Sequence, residues 1–231
     1  MTTFRLPLSM RADGVELLDG GSLDPADVER NLADLARLNR LPGGVDASVR
    51  GIDQVLEGRP DARILDVGTG RADMPIAFTR RGWEVIALDT HPAVLRVARA
   101  VTAAEPRITI VEGDARTLPL DDGAVEVAHC SLLLHHLDPT DVVAVLREMR
   151  RVSRAGVVVN DLRRGVLPFL ATAAGVLAFG RSHVTRNDGL VSARRAYTVE
   201  ELDRMLRNAG LVVRWRSSSW MPRVVTAAAE R

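Results

Sequence analysis

Arg63-Ile64-Leu65-Asp66-Val67-Gly68-Thr69-Gly70-Arg71-Ala72-Asp73 decides the fold. Its first five residues are short and mostly apolar, as in a buried strand. Gly68 and Gly70 follow at once. Neither carries a Cβ, so the backbone there bends sharply and approaches a ligand closely. A helix is expected next, and strand–glycine turn–helix places Asp66 at the carboxyl end of a strand, where open α/β sheets bind ligands. A dinucleotide fingerprint would need glycine at 73, where Asp73 stands. Pyrophosphate also binds bare backbone N–H groups, and Asp66 and Asp73 would repel it. The pair suits a cationic ligand instead.

The elements downstream repeat the pattern. Residues 83–88 read as a second strand ending at Asp89, followed by Thr90. The interval from Asp66 to Asp89 matches the spacing of an acidic residue that grips ribose hydroxyls, and one carboxylate accepts from both hydroxyls. An exposed turn aspartate before His91-Pro92 is the plainer alternative. A third strand at 108–111 runs into Gly113-Asp114-Ala115, and a fourth at 125–129 into Cys130-Ser131-Leu132-Leu133-Leu134-His135-His136-Leu137.

Together these stretches resemble the class I S-adenosylmethionine-dependent methyltransferases. Asp66-Val67-Gly68-Thr69-Gly70-Arg71-Ala72 is similar to their first motif, with Ala72 where a third glycine is usual. The His-His-Leu after the fourth strand is similar to the ubiquinone- and menaquinone-biosynthesis type. The resemblance implies a Rossmann-like α/β fold: a seven-stranded mixed sheet with an antiparallel last strand. It also implies S-adenosylmethionine as cofactor, held by Asp66, Gly68, Thr69, Gly70, Asp89, Thr90, Asp114 and Ala115. Asp114 would accept from the adenine amine; an Asx-type turn is its plainer reading. His135 or His136 is the candidate general base, since imidazole titrates near neutral pH; packing at a helix start is the alternative. Methyl transfer to a small, apolar or aromatic acceptor is the implied activity, with O-methylation favoured. Carbon methylation of a quinone precursor and a non-catalytic donor-binding scaffold are the alternatives.

Residues 1–58 form an N-terminal arm and cap, and 59–231 the donor-binding domain. The arm to about residue 21 has no period and is expected to be loosely held. A helix opens at Asp24-Pro25 and closes at Asn39 and Arg40, which read as a solvated end or, by the resemblance, as facing the pocket. A second helix covers 45–56. Residues 162–197 interrupt the sheet pattern as an insertion. Its first half is apolar, shorter than the ~20 residues of a membrane span, and suits a lid, a homodimer face or an ordinary core helix. Its second half, 181–197, reads as a polar loop in which Arg194, Arg195 and Tyr197 would orient an oxygen-rich acceptor, or as a solvated loop; Asp161 ends the fifth strand on the same side. Thr198-Val199-Glu200-Glu201 is a capping box. Two final strands form a hairpin.

Composition narrows the partners. A net charge of +1 excludes a strong polyanion field, and 3% aromatics leave little surface for stacking bases. No nucleic acid is therefore expected, and the fourth-strand segment lacks the Asn/Asp-Pro-Pro-aromatic tetrad of nucleic-acid methyltransferases. Cys130 is the single cysteine, so no internal disulfide or cysteine-built metal site exists. No metal is expected. Without a recognisable secretory signal, a cytoplasmic location is the default.

Overall fold

The computed structural model describes residues 10–14, 16–18, 20, 23–217 and 222–230. Helices α1 (Pro25–Leu38) and α2 (Val45–Leu56) precede the sheet. β1 (Arg63–Val67), α3 (Asp73–Thr79), β2 (Glu84–Asp89), α4 (Pro92–Thr102) and β3 (Ile108–Glu112) form its first half. β4 (Val125–Ser131), α5 (Pro139–Val152) and β5 (Ser153–Leu162) continue it, and α6 (Val166–Phe179) and α7 (His183–Arg195) are inserted. Helix α8 (Val199–Asn208) leads to the hairpin β6 (Val212–Arg216) and β7 (Arg223–Ala229).

The seven strands lie in the order β3-β2-β1-β4-β5-β7-β6. β1 to β5 are parallel, and β7 runs antiparallel to both neighbours. The order reverses between β1 and β4, and a crevice opens there beyond the strand ends. Both faces are covered, so the central strands are apolar on both sides. One face packs Leu146, Met149 and Leu206 from α5 and α8. The other packs Ile52 and Leu56 of α2 with Phe78 of α3. Gly51 lets α2 lie close to the sheet: a Cβ there would stand 3.0 Å from Val158.

Local chemistry explains the helix starts. Asp24 accepts from Ala26 N with Pro25 at the first helical position, and Thr198 and Glu201 form the reciprocal capping box. Ala72, at the usual third-glycine position, sits at φ 63° before α3. The left-handed conformation costs an alanine on the order of 1 kcal/mol relative to glycine. The fully buried Cβ environment of Ala72 holds it there.

Two expectations are corrected. The segment 181–197 is mostly helix, not a polar loop. Ser182 caps it by accepting from Val184 N. Asn187-Asp188-Gly189 makes no turn, because the Asp188 carboxylate is engaged elsewhere and Gly189 serves α6–α7 packing. A Cβ on Gly189 would stand 2.5 Å from Val176 Cγ1. The arm is not loose over its described residues. Arg11 donates to Arg195 O (2.7 Å), His135 O (2.8 Å) and Leu137 O (2.8 Å). Leu17 N and Leu18 N donate to Asp188. Helix α6 exposes Leu167, Leu170 and Leu177. No helix among the described residues is long and apolar enough to cross a membrane.

Candidate active site

The turn after β1 is held from below. Gly68 N and Thr69 N both donate to Leu88 O at the end of β2 (2.9 and 3.0 Å). Gly68 and Gly70 have φ of 70° and 56°, which favours glycine. A Cβ on Gly70 would meet only Leu32, at 3.8 Å, so it would project into open space. That space is a cavity of about 390 Å³. Gly68, Thr69 and Gly70 line it, as do Asp66, Asp89, Thr90 and Ala115.

Asp66 has a structural task that its sequence position did not reveal. It is 1% exposed. Its carboxylate accepts from Thr69 Oγ1 (2.8 Å) and lies 2.7 Å from His129 Nδ1. His129 Nε2 stands 2.9 Å from Ser48 Oγ, which accepts from Asn160 Nδ2 at 2.8 Å. The donors and acceptors are consistent with one assignment. Asn160 donates to Ser48, Ser48 to His129 Nε2, and His129 Nδ1–H to Asp66. The motif aspartate thus ties β1 to β4, α2 and β5 beneath the turn.

Asp89 stays partly open. It accepts from Gly70 N (3.2 Å) and His91 N (3.0 Å). Burial raises its carboxyl above the ordinary range, with the His91 and Gly70 N–H groups opposing. Asp73 is raised too, first by burial, with Asn39 opposing and Asp66 adding repulsion. Asn39 is buried rather than a solvated helix end, and its Nδ2 donates to Asp73 at 2.7 Å. Asn39 Oδ1 and Ser131 Oγ are buried, line the cavity and lack a hydrogen-bond partner among the described residues. Acidic groups and orphan acceptors make this a cavity for a ligand with cationic and donor groups. Asp114 is turned away from it. Arg116 clamps its carboxylate (Nη2, 2.7 Å; backbone N, 2.8 Å) and holds its carboxyl below the ordinary range.

A second cavity, of about 130 Å³, lies alongside. Its wall is mainly apolar, from Leu35, Leu38, Leu41 and Val176 among others. Leu18, Leu35, Leu132 and His136 line both cavities. Leu132 adopts φ 53°, a conformation rare for a bulky side chain and common at functional sites.

His135 is 2% exposed and faces the second cavity. Asp161 grips it. The Asp161 carboxylate accepts from Leu134 N (2.8 Å) and His135 N (3.2 Å) and lies 2.6 Å from His135 Nδ1. Burial pushes the Asp161 carboxyl up, but His135 and the backbone N–H of Leu162 outweigh it and the net shift is down. Glu16 of the arm joins them, and no motif or period in the arm marks it. It is buried, 3.7 Å from His135 Nε2 and 3.7 Å from His136 Nε2, and accepts from Ser192 Oγ. Glu16, His135 and His136 hold their ligand atoms within 4.8 Å of one another, a donor set that could take a metal ion.

Arg194 and Tyr197 line neither cavity. Arg194 lies over the Phe169 ring, 5.4 Å from its centroid. Tyr197 Oη donates to Leu137 O (2.6 Å), and burial pushes its hydroxyl up to about 12. Burial likewise raises the Cys130 thiol well above its usual value, which leaves it a packing residue.

Residues 64–156 match a family model described as a methyltransferase domain. A malonyl-[acyl-carrier protein] O-methyltransferase of Serratia marcescens is 32% identical over 158 residues, 65% of this chain and 57% of that one. A demethylmenaquinone methyltransferase of Streptomyces avermitilis is 30% identical over 107 residues, 46% of this chain and 44% of that one. The chain thus spans about half the length of these curated relatives. An S-adenosylmethionine-dependent methyltransferase from Aquifex aeolicus superimposes with a TM-score of 0.62 at 18% identity, covering 89% of this chain and 98% of that chain.

Proposed function

We propose that this chain, built on an S-adenosylmethionine-dependent methyltransferase fold, transfers a methyl group to an oxygen of a small apolar acceptor. One observation carries the reading: His136 lines both the acidic cavity and the apolar one, beside an imidazole aligned by a buried carboxylate. The acidic cavity fits the donor. Asp89 would accept from its ribose hydroxyls, and Asp73 and the orphan Asn39 Oδ1 would face its ammonium. Gly68 to Gly70 would leave room for it, and Ala115 would border its base. When bound, S-adenosylmethionine supplies an electrophilic methyl carbon on a sulfonium.

The chain's own residues do the rest. The apolar wall excludes water and holds the acceptor beside the donor; such positioning contributes roughly 7–11 kcal/mol. Asp161 accepts from His135 Nδ1–H and so leaves the ring's lone pair on Nε2. That nitrogen removes the acceptor's O–H proton. Glu16 faces Nε2 and stabilises the imidazolium. A second reading, methylation at a ring carbon of a quinone precursor, uses the same base and is favoured by the likeness to a demethylmenaquinone methyltransferase.

The test is transfer of labelled methyl from S-adenosylmethionine to phenols, quinone precursors and RNA, with the methylated atom mapped. Label on a phenolic oxygen supports the reading. Product on carbon alone selects the second, and product on RNA alone, or none with donor bound, overturns both.

Donor binding should depend on pH through Asp89. Its carboxyl is raised, so protonation sets in above the ~3.9 of an ordinary aspartate, and a protonated carboxyl grips hydroxyls less well. Affinity is expected to be level above neutrality and to fall as pH drops through the raised value. In Asp89→Asn it should be weak, with only the part of the pH dependence that comes from Asp73 left. Calorimetric titration from neutral pH down to the ordinary carboxylate range checks this; an unchanged wild-type affinity over that span would remove Asp89 from the donor site.

A further inference from the structure

Arg223, the first residue of β7, lines the apolar cavity and not the acidic one. It is 7% exposed. Neither Nη1 nor Nη2 meets a hydrogen-bond partner among the described residues. The equally buried Arg164 shows the contrast: its Nη1 donates to Ala196 O and its Nη2 to Glu201 Oε1. A guanidinium whose two terminal nitrogens are buried without partners is rare, because four N–H donors have been taken from water with nothing in return.

The acids nearby do not answer it: Glu16 and Asp188, which line the same cavity, accept from Ser192 Oγ and from the Leu17 and Leu18 N–H groups. Asp161 is committed to His135 and three backbone N–H groups, and Asp73 is bonded to Asn39. Both act on Arg223 only through space. Burial pulls its guanidinium down to about 10, with these two opposing, so it stays charged near neutral pH. Its planar fork matches a carboxylate bidentately.

We infer that the apolar cavity is a site for an amphiphilic carboxylic acid, whose carboxylate pairs with Arg223 while its hydrocarbon or aromatic body fills the space between α1, α6 and α7. This deepens the acceptor side of the reading above and rests on it for calling this cavity the acceptor's. The shape is that of an apolar pocket with a few fixed polar groups.

The experiment is calorimetric titration of the full chain saturated with S-adenosylhomocysteine. Two matched pairs are compared, octanoate with 1-octanol and benzoate with benzyl alcohol. The acids should bind at least about tenfold more tightly than the alcohols, since an unpaired buried donor set rejects a ligand that cannot satisfy it. Arg223→Met should reduce that preference to about twofold or less, and Arg223→Lys should keep part of it. Removing an uncompensated charge should not unfold the chain, and a melting curve verifies this. If Arg223→Met does unfold, the wild-type pairs and Arg223→Lys still decide.

Equal binding of acid and alcohol, binding of none of the four, or a preference that survives in Arg223→Met would overturn the inference. A loss of S-adenosylhomocysteine affinity in Arg223→Met would assign the residue to the donor's own carboxylate, which also overturns it. If wild-type protein fails to bind S-adenosylhomocysteine, the methyl-transfer reading falls instead, and the same titrations without it still judge Arg223.

Discussion

Asp161→Asn is expected to lower turnover by about 10²–10⁴-fold while donor affinity stays within about twofold. The reason lies in what the two oxygens of Asp161 do. One accepts from Leu134 N and His135 N, and the other faces His135 Nδ1 and accepts from Leu162 N. Asparagine offers one oxygen and one NH₂. If its oxygen keeps Leu134 N and His135 N, its NH₂ faces Nδ1, which must then accept, and the ring proton moves to Nε2. The base is lost although the fold is kept. Asp161 has a carboxyl below its ordinary value, so its contribution to stability is present above ~pH 4 and is lost only as pH falls through the folded value. Assays near neutral pH are thus free of its titration. Single-turnover rates and donor binding should be measured side by side. An unchanged rate, or a fall in rate matched by an equal fall in affinity, would return His135 to a packing role.

The second large effect falls on stability. Asp66→Ala should destabilise the fold by about 3–5 kcal/mol, since removing one member of a buried, hydrogen-bonded set strands the others. His129 and Thr69 would lose their acceptor in a region that is 0% and 5% exposed. For a domain of this size the melting temperature should drop on the order of 10 °C. Asp66→Asn keeps the acceptor oxygen for one partner and should cost less. Thermal and denaturant unfolding check this. A loss below about 1 kcal/mol, the range of an ordinary surface substitution, together with a collapse in donor affinity would make Asp66 a ligand contact instead.

The sheet and its order of elements were legible because strands buried on both faces leave apolar runs, and glycine turns leave a spacing. Val157-Val158-Val159 and Gly68-x-Gly70 are signals that the chain carries locally. Gly68, Thr69, Gly70 and Asp89, picked out by that turn and spacing, line the acidic cavity. Asp114 shows the limit: nothing in Gly-Asp-Ala says that Arg116, two residues on, will take the carboxylate. Glu16 was invisible because it sits in an aperiodic arm whose place is set by Arg11 and Asp188, contacts more than 120 residues apart in sequence. Helix α7 was hidden by Asn-Asp-Gly, a turn signal overridden by packing on α6. Arg223 did leave a trace that reading for periodicity passes over, a lone charge opening an otherwise apolar strand.

The antiparallel placement of β7 has a consequence for how the molecule is made. β5 has no partner on its outer side until residues 223–230 arrive, since β7 alone separates it from β6. On the ribosome, most of the sheet can assemble while β5 waits with its backbone groups and its valine run uncovered. That open edge is a template for pairing between nascent chains. Removing this one strand would therefore be felt first as low yield and inclusion bodies rather than as altered catalysis.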